Sequence, residues 1–173
     1  MPAHWGYSRL NIVSQSSPTG TQFSQAVGCA ESAPYIRRFN LDLPAEEGEI
    51  TVVCSGEGAT SQGEFWEAIN TAANKKIPVL FLIEDNEYAI STPVEEATAG
   101  GDIGKCFSGV PGLKVLRCDG SDLLDCLDVC EVATAFLREG NGPVLLHAKV
   151  TRPYSHSLSD DQVYYRTRDE LEE

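Results

Sequence analysis

The stretch CSGEGATSQGEFWEAIN, residues 54–70, decides the fold. It joins an apolar, β-branched run to an amphipathic pattern through a glycine-flanked glutamate, Gly56-Glu57-Gly58. Residues 50–54 (ITVVC) predict a buried strand. Phe65, Trp66, Ile69, Ala72 and Ala73 recur at helical spacing. Ser61 and Glu64 have the spacing of a capping box. Glycine turns at strand ends usually cradle phosphate, because bare backbone N–H groups approach the anion closely. A carboxylate in the middle of such a turn would repel it.

Outward from this point the same alternation repeats. Residues 78–83 (PVLFLI), 114–118 and 144–150 predict further buried strands. A helix is expected from Asp122 to about Glu139, closed by Gly140. Upstream, Phe23, Ala26, Val27, Ala30 and Ala33 mark one face of a helix that Pro34 should end or bend. Residues 38–48, 91–113 and 151–166 read as loops, and a helix is expected to start at Arg168. Continuous apolar strands alternating with helices imply an α/β fold with a doubly wound parallel sheet and helices on both faces. Ligands of such sheets bind at the carboxyl ends of the strands.

The chain has 173 residues, enough for one domain with its own core. Its net charge of −13 argues against nucleic acid or an anionic membrane as the main partner. It leaves room for a phosphorylated ligand held by local cations or a metal. The six cysteines form no C-x-x-C pair and read as buried free thiols in a reducing compartment. No apolar run is long enough to span a bilayer, and no signal peptide is evident, so a cytoplasmic protein is expected.

The second predicted strand runs into Glu84-Asp85-Asn86-Glu87-Tyr88, so both turns lie along one edge of the sheet. Glu57 and Asn86, 29 positions apart, then bring a carboxylate and an amide oxygen into one crevice. Such hard oxygens suit Mg²⁺, which keeps its other positions for phosphate oxygens and water. The plainer reading is turn chemistry, with the Asp-Asn side chains bonding local backbone.

Gly56-Glu57-Gly58-Ala59-Thr60-Ser61 followed by Asn86 and Tyr88-Ala89-Ile90-Ser91 resembles the thiamine diphosphate motif. More closely, the chain resembles the alpha subunit of 2-oxo acid dehydrogenases. Ser16-Ser17-Pro18 with Thr21-Gln22, Gln25-Ala26-Val27-Gly28, Asp119-Gly120 with Asp122, and the loop holding Arg152, His156-Ser157, Ser159-Asp160-Asp161 and Tyr165-Arg166 match further family segments in order. The resemblance implies a thiamine diphosphate-binding fold. It implies Mg²⁺ on Glu57, Asn86 and the Tyr88 carbonyl, and diphosphate contacts from the Gly58 and Ala59 backbone and from Arg152. Ser17 would line the cofactor site, and His156 would be the catalytic group beside the thiazolium. Ser16, Pro18, Thr21 and Gln22 match a segment that holds K⁺ in some members, and Ser157 and Ser159 a loop phosphorylated in some.

Glutamate at 57, where pyruvate-specific members usually carry aspartate, and the Ala89–Pro93 segment point to the branched-chain, 2-oxoisovalerate type. A pyruvate or acetoin dehydrogenase alpha-type chain is the alternative. The implied partners are a beta-type chain or domain, which holds the glutamate that activates the cofactor, and a lipoyl-bearing acyltransferase. The substrate would be a 2-oxo acid. Residues 1–6 resemble an internal family segment, and Glu173 falls early in a further helix, so the 173 residues read as one domain truncated at both ends. An inactive module with only an assembly role is therefore a second alternative. Thr19 and Ser155 depart from the residues common in the family. A dinucleotide-binding reading fails for want of G-x-G-x-x-G after the first strand.

Overall fold

The sheet is set by four apolar runs, each with room for a helix between it and the next. In the computed structural model, which describes residues 4–172, these are β1 (Thr51–Gly56), β2 (Val79–Asp85), β5 (Lys114–Asp119) and β6 (Val144–Lys149). They form a fully parallel sheet in the order β1-β2-β6-β5. A short antiparallel hairpin, β3 (Tyr88–Ala89) and β4 (Thr92–Pro93), follows β2. The helices are α1 (Thr21–Phe39), α2 (Gly63–Lys75), α3 (Val94–Ala97), α4 (Ile103–Phe107), α5 (Leu123–Arg138) and α6 (Arg168–Glu172).

One face of the sheet is covered by α1, α2 and α4, the other by α5. The expected stripe of α1 (Phe23, Ala26, Val27, Ala30, Ala33) is buried throughout. Phe23, Phe65 and Phe107 meet edge-on at 4.8 and 5.1 Å, with Phe81 of β2 against them, the arrangement ring quadrupoles favour. No helix of the described residues is long and apolar enough to cross a membrane.

Several expectations are corrected. Of the expected end or bend at Pro34, the end does not occur: helix α1 continues through it to Phe39. The lost N–H costs one bond, while the helix end is fixed beyond it: Asn40 turns left-handed (φ 50°), its N–H donates to the Arg37 carbonyl, and the Leu41 N–H donates to that of Ile36, a Schellman closure. The Ser61–Glu64 box is not made. Helix α2 starts at Gly63 after Gln62 without a side-chain cap, and the Ser61 hydroxyl points to the Ala97 carbonyl at 3.4 Å. Residues 91–113 are not a bare loop, since they carry β4, α3 and α4. Of the cysteines only Cys118 is buried, where burial and the neighbouring Cys126 thiol push it up to about 12. Cys29 and Cys54 are exposed; Cys54 lies on the edge strand β1 and alternates with Val53, which packs under α1 and α2, so it faces the α5 side of the sheet at the edge, where α5 packs on β2, β5 and β6.

Candidate active site: a cation and anion crevice

Parallel pairing sets Gly56 opposite Glu84, so the turns after β1 and β2 leave the sheet side by side. The first continues as a 3₁₀ turn, Glu57–Ser61, whose Thr60 hydroxyl donates to the Glu57 carbonyl at 2.6 Å. Glu57 is 2% exposed. Its Oε2 accepts from the Asn86 N–H at 3.2 Å and the Asn86 Nδ2 at 3.1 Å. Burial, helped by the nearby Asp85 charge, raises the Glu57 pKa above the ordinary value, opposed by the backbone N–H groups of Glu57 and Asn86 and by the positive Arg152. Asn86 Oδ1 is buried with no hydrogen-bond partner. A buried carboxylate beside an orphaned amide oxygen is a pair of hard acceptors of the kind a divalent cation takes.

The opposite deficit lies next to it. Arg152, on the loop after β6, donates through Nη2 to the Ile90 carbonyl (2.9 Å) and the Tyr165 hydroxyl (2.7 Å). Its Nε and Nη1 are buried and unpartnered. A guanidinium with two free donors fits an anion such as a diphosphate oxygen. These residues together fit a Mg²⁺–diphosphate group.

Tyr88 sits between Glu87 (φ 70°) and Ala89, with Ile90 (φ 59°) closing the hairpin. A left-handed isoleucine is a strained residue. The Tyr88 hydroxyl donates to Glu170 Oε1 at 2.8 Å, and Arg166 lies 5.0 Å over its ring. The Thr167 hydroxyl, the Thr167 N–H and Tyr88 hold Glu170 down at about 2. Gly58 packs against the same hairpin: a Cβ on it would lie 2.7 Å from that of Ala89. Ala59 is buried.

His156 is exposed; its backbone N–H donates to Asp160 Oδ2, which also accepts from the Tyr165 hydroxyl at 2.6 Å. The chain His156–Asp160–Tyr165–Arg152 therefore runs from the loop to the crevice. Ser17 is not brought to it by any bond. Its hydroxyl pairs with His4 Nε2 at 3.1 Å. The Ser16 hydroxyl contacts that of Thr21, which donates to the Pro18 carbonyl, and Gln22 reaches Ser55 of β1.

Sequence reasoning overlooked a polar row under this site. His147 of β6 and Asp85 of β2 are both buried and bonded, Nε2 to Oδ2, at 2.6 Å. Lys149 Nζ lies 3.4 Å from Asp85 and 2.6 Å from Glu87. Burial opposes ionisation of Asp85, but His147, the Glu87 N–H and Lys149 outweigh it and its pKa is lowered. The signal was present in VLLHAKV: a histidine inside a wholly apolar strand requires a buried partner.

Residues 3–173 match the family described as "Dehydrogenase E1 component". The chain belongs to this family. Among its relatives within the dehydrogenase E1 components, the mitochondrial 2-oxoisovalerate dehydrogenase subunit alpha of Dictyostelium discoideum is 37% identical over 171 residues, covering 99% of this chain and 37% of that one. Its counterpart in Caenorhabditis elegans is 39% identical, covering 99% and 38%. The mitochondrial pyruvate dehydrogenase E1 component subunit alpha of Sminthopsis macroura is 36% identical, covering 94% and 42%. The chain thus spans about two fifths of the length of these relatives. A transketolase from Campylobacter jejuni superposes with a TM-score of 0.66 at 23% identity, covering 82% of this chain and 21% of that one. The α/β, thiamine diphosphate-binding type of fold expected from the sequence is thereby shown. The expected cytoplasmic location is overturned, since these E1 relatives are named as mitochondrial.

Proposed function

We propose that this chain is the alpha-type part of the decarboxylating component of a 2-oxo acid dehydrogenase complex, and that its crevice binds Mg²⁺–thiamine diphosphate. One observation carries the reading. The orphaned Asn86 Oδ1 beside the buried Glu57 lacks a cation, and the free Nε and Nη1 of Arg152, close enough to act on Glu57, lack an anion. Family membership supports the same assignment.

In this reading Glu57 and Asn86 hold the metal by side chain and Tyr88 by its carbonyl. The Gly58 and Ala59 backbone and Arg152 hold the diphosphate, and Ser17 lines the site. A K⁺ in the 16–22 turn belongs to the same reading. Thiamine diphosphate, when bound, supplies the carbanion equivalent that decarboxylation of a 2-oxo acid requires. His156 faces the substrate carboxylate from the loop, where an imidazole can donate or accept a proton. The 173 residues are one domain holding the metal–diphosphate half of a shared site. A beta-type chain completes it, and a lipoyl-bearing acyltransferase receives the acyl group. Glu57 and the similarity to 2-oxoisovalerate dehydrogenase alpha chains favour a branched-chain 2-oxo acid. The similarity to pyruvate dehydrogenase alpha chains supports pyruvate as the second reading. The location we infer is mitochondrial.

Calorimetric titration of thiamine diphosphate into the chain, with Mg²⁺ and with chelator, tests this. Saturable binding only with Mg²⁺ is expected. No binding under either condition would favour an inactive module with an assembly role.

A further inference from the structure

The cofactor reading gives His147 no task. Yet this imidazole is 1% exposed, in a strand position flanked by Ile83 of β2 and Arg117 of β5. A hydrocarbon side chain would fill the place without the cost of burying a polar ring. What it holds is Asp85, through Nε2 and Oδ2 at 2.6 Å. The other oxygen of Asp85, Oδ1, accepts the Glu87 N–H at 2.9 Å. That bond closes a tight turn around Asn86 and supports a left-handed Glu87 (φ 70°). The turn in its place aims both the backbone N–H and the side chain of Asn86 at Glu57.

The second ring nitrogen faces the other way. His147 Nδ1 makes no hydrogen bond and is buried; its nearest acidic oxygen is Asp102 Oδ1 at 3.7 Å, an electrostatic contact only. Asp102 caps α4 by accepting the Lys105 N–H at 2.9 Å and is bonded by Arg117, which crosses Gly104 where a Cβ would collide with it. One ring therefore stands between the start of α4 and the turn that carries the ligand candidates. Lys149 adds a bridge between Asp85 and Glu87 at the same turn.

We propose that His147 is a positioning residue for the Asn86–Tyr88 turn, and that the row Asp85–His147–Asp102 presets the divalent-cation site before metal arrives. The proposal rests on the cofactor reading above for the identity of the cation. It concerns the geometry of the turn, so it has a readout that needs no cofactor. In the metal-free chain, amide hydrogen exchange at Asn86 and Glu87 reports the two side-chain bonds, and Phe81 reports the core of the same strand.

The test compares wild type with His147→Leu and His147→Gln. Exchange is measured on the metal-free chain, and Mn²⁺ affinity by electron paramagnetic resonance with thiamine diphosphate present. His147→Leu is expected to speed exchange at residues 86 and 87 at least tenfold, with Phe81 within twofold. Mn²⁺ affinity should fall at least tenfold. His147→Gln keeps an N–H donor toward Asp85 and should recover most of both losses. Asp85→Asn/His147→Leu leaves no uncompensated charge in the core and serves if the single variant does not fold; the same tenfold losses are expected. Exchange and affinity within twofold of wild type in a folded Leu variant would overturn the proposal. So would parallel acceleration at Phe81 and Glu87, the mark of a merely structural residue. A wild-type chain that binds no Mn²⁺ would refute the cofactor reading instead, while the exchange rates still decide whether His147 holds the turn.

Discussion

Glu57→Gln is expected to make the metal-free chain more stable while destroying its cation site. Glu57 is 2% exposed and its pKa is raised, chiefly by burial. A carboxyl whose pKa is higher folded than unfolded binds protons more tightly in the native state. Its ionisation therefore costs nothing at pH values below the unfolded pKa of about 4.3. The cost grows as the pH passes from there to the folded value and is complete above it. Glutamine removes that cost. Its Oε1 can still accept from Asn86, and its amide brings a donor into the crevice that holds the orphaned Asn86 Oδ1. Satisfying one buried acceptor is worth about 1–2 kcal/mol. For a chain of this size that raises Tm by about 2–8 °C. Thermal unfolding by circular dichroism at pH 7 in chelator reads it directly. The gain should shrink as the pH falls toward 4. Mg²⁺ with thiamine diphosphate should then stabilise wild type and leave Glu57→Gln unmoved. A variant no more stable than wild type in chelator at pH 7 would refute the idea that Glu57 is a carboxylate held in wait for a cation.

Arg152→Met should weaken thiamine diphosphate binding by about 30-fold or more, the loss of about 2 kcal/mol that follows removal of one partner from a buried charged contact; unchanged calorimetric affinity would remove Arg152 from the diphosphate site. Gly58→Ala drives a methyl to 2.7 Å from Ala89 Cβ. It should cost about 1–3 kcal/mol in chemical denaturation, with Gly58→Ala/Ala89→Gly recovering most of it; strict additivity of the two would deny the contact. His156→Ala, reconstituted with a beta-type chain, should lower turnover far more than cofactor affinity, and wild-type turnover would exclude His156 from the chemistry.

The strands and the two turns were legible because they depend on local rules. Apolar runs bounded by glycine and acidic clusters gave the parallel sheet, and parallel pairing alone places Gly56 opposite Glu84. The turn-chemistry reading of Asp85-Asn86 holds for Asp85, while the ligand reading of Asn86 is the one proposed above. Asp85 does bond local backbone, through the Glu87 N–H, and in doing so leaves Asn86 free to face Glu57. What local rules could not give was the structure of residues 91–113. The short helices α3 and α4 have weak signals of their own and are held by tertiary packing, Val94, Ile103 and Phe107 being buried. Nor could they show that Arg152 would anchor on the Ile90 carbonyl, because that bond spans 62 positions.

That bond explains why so small a hairpin tolerates strain. A left-handed isoleucine costs about 1–2 kcal/mol. A hydrogen bond from the Arg152 guanidinium to its carbonyl opposes that cost. The return is geometric. Residues 86–93 receive the Glu57–Asn86 bonds from one side, the Gly58–Ala89 contact from a second, and Arg152, Tyr165 and Glu170 from the 151–170 segment. Buried Glu57 and the unpartnered atoms of Asn86 and Arg152 are thus tied to one strained hairpin. A ligand able to satisfy both deficits would clamp that hairpin from both sides at once, and one carrying a metal without a phosphate, or a phosphate without a metal, would satisfy only half of it.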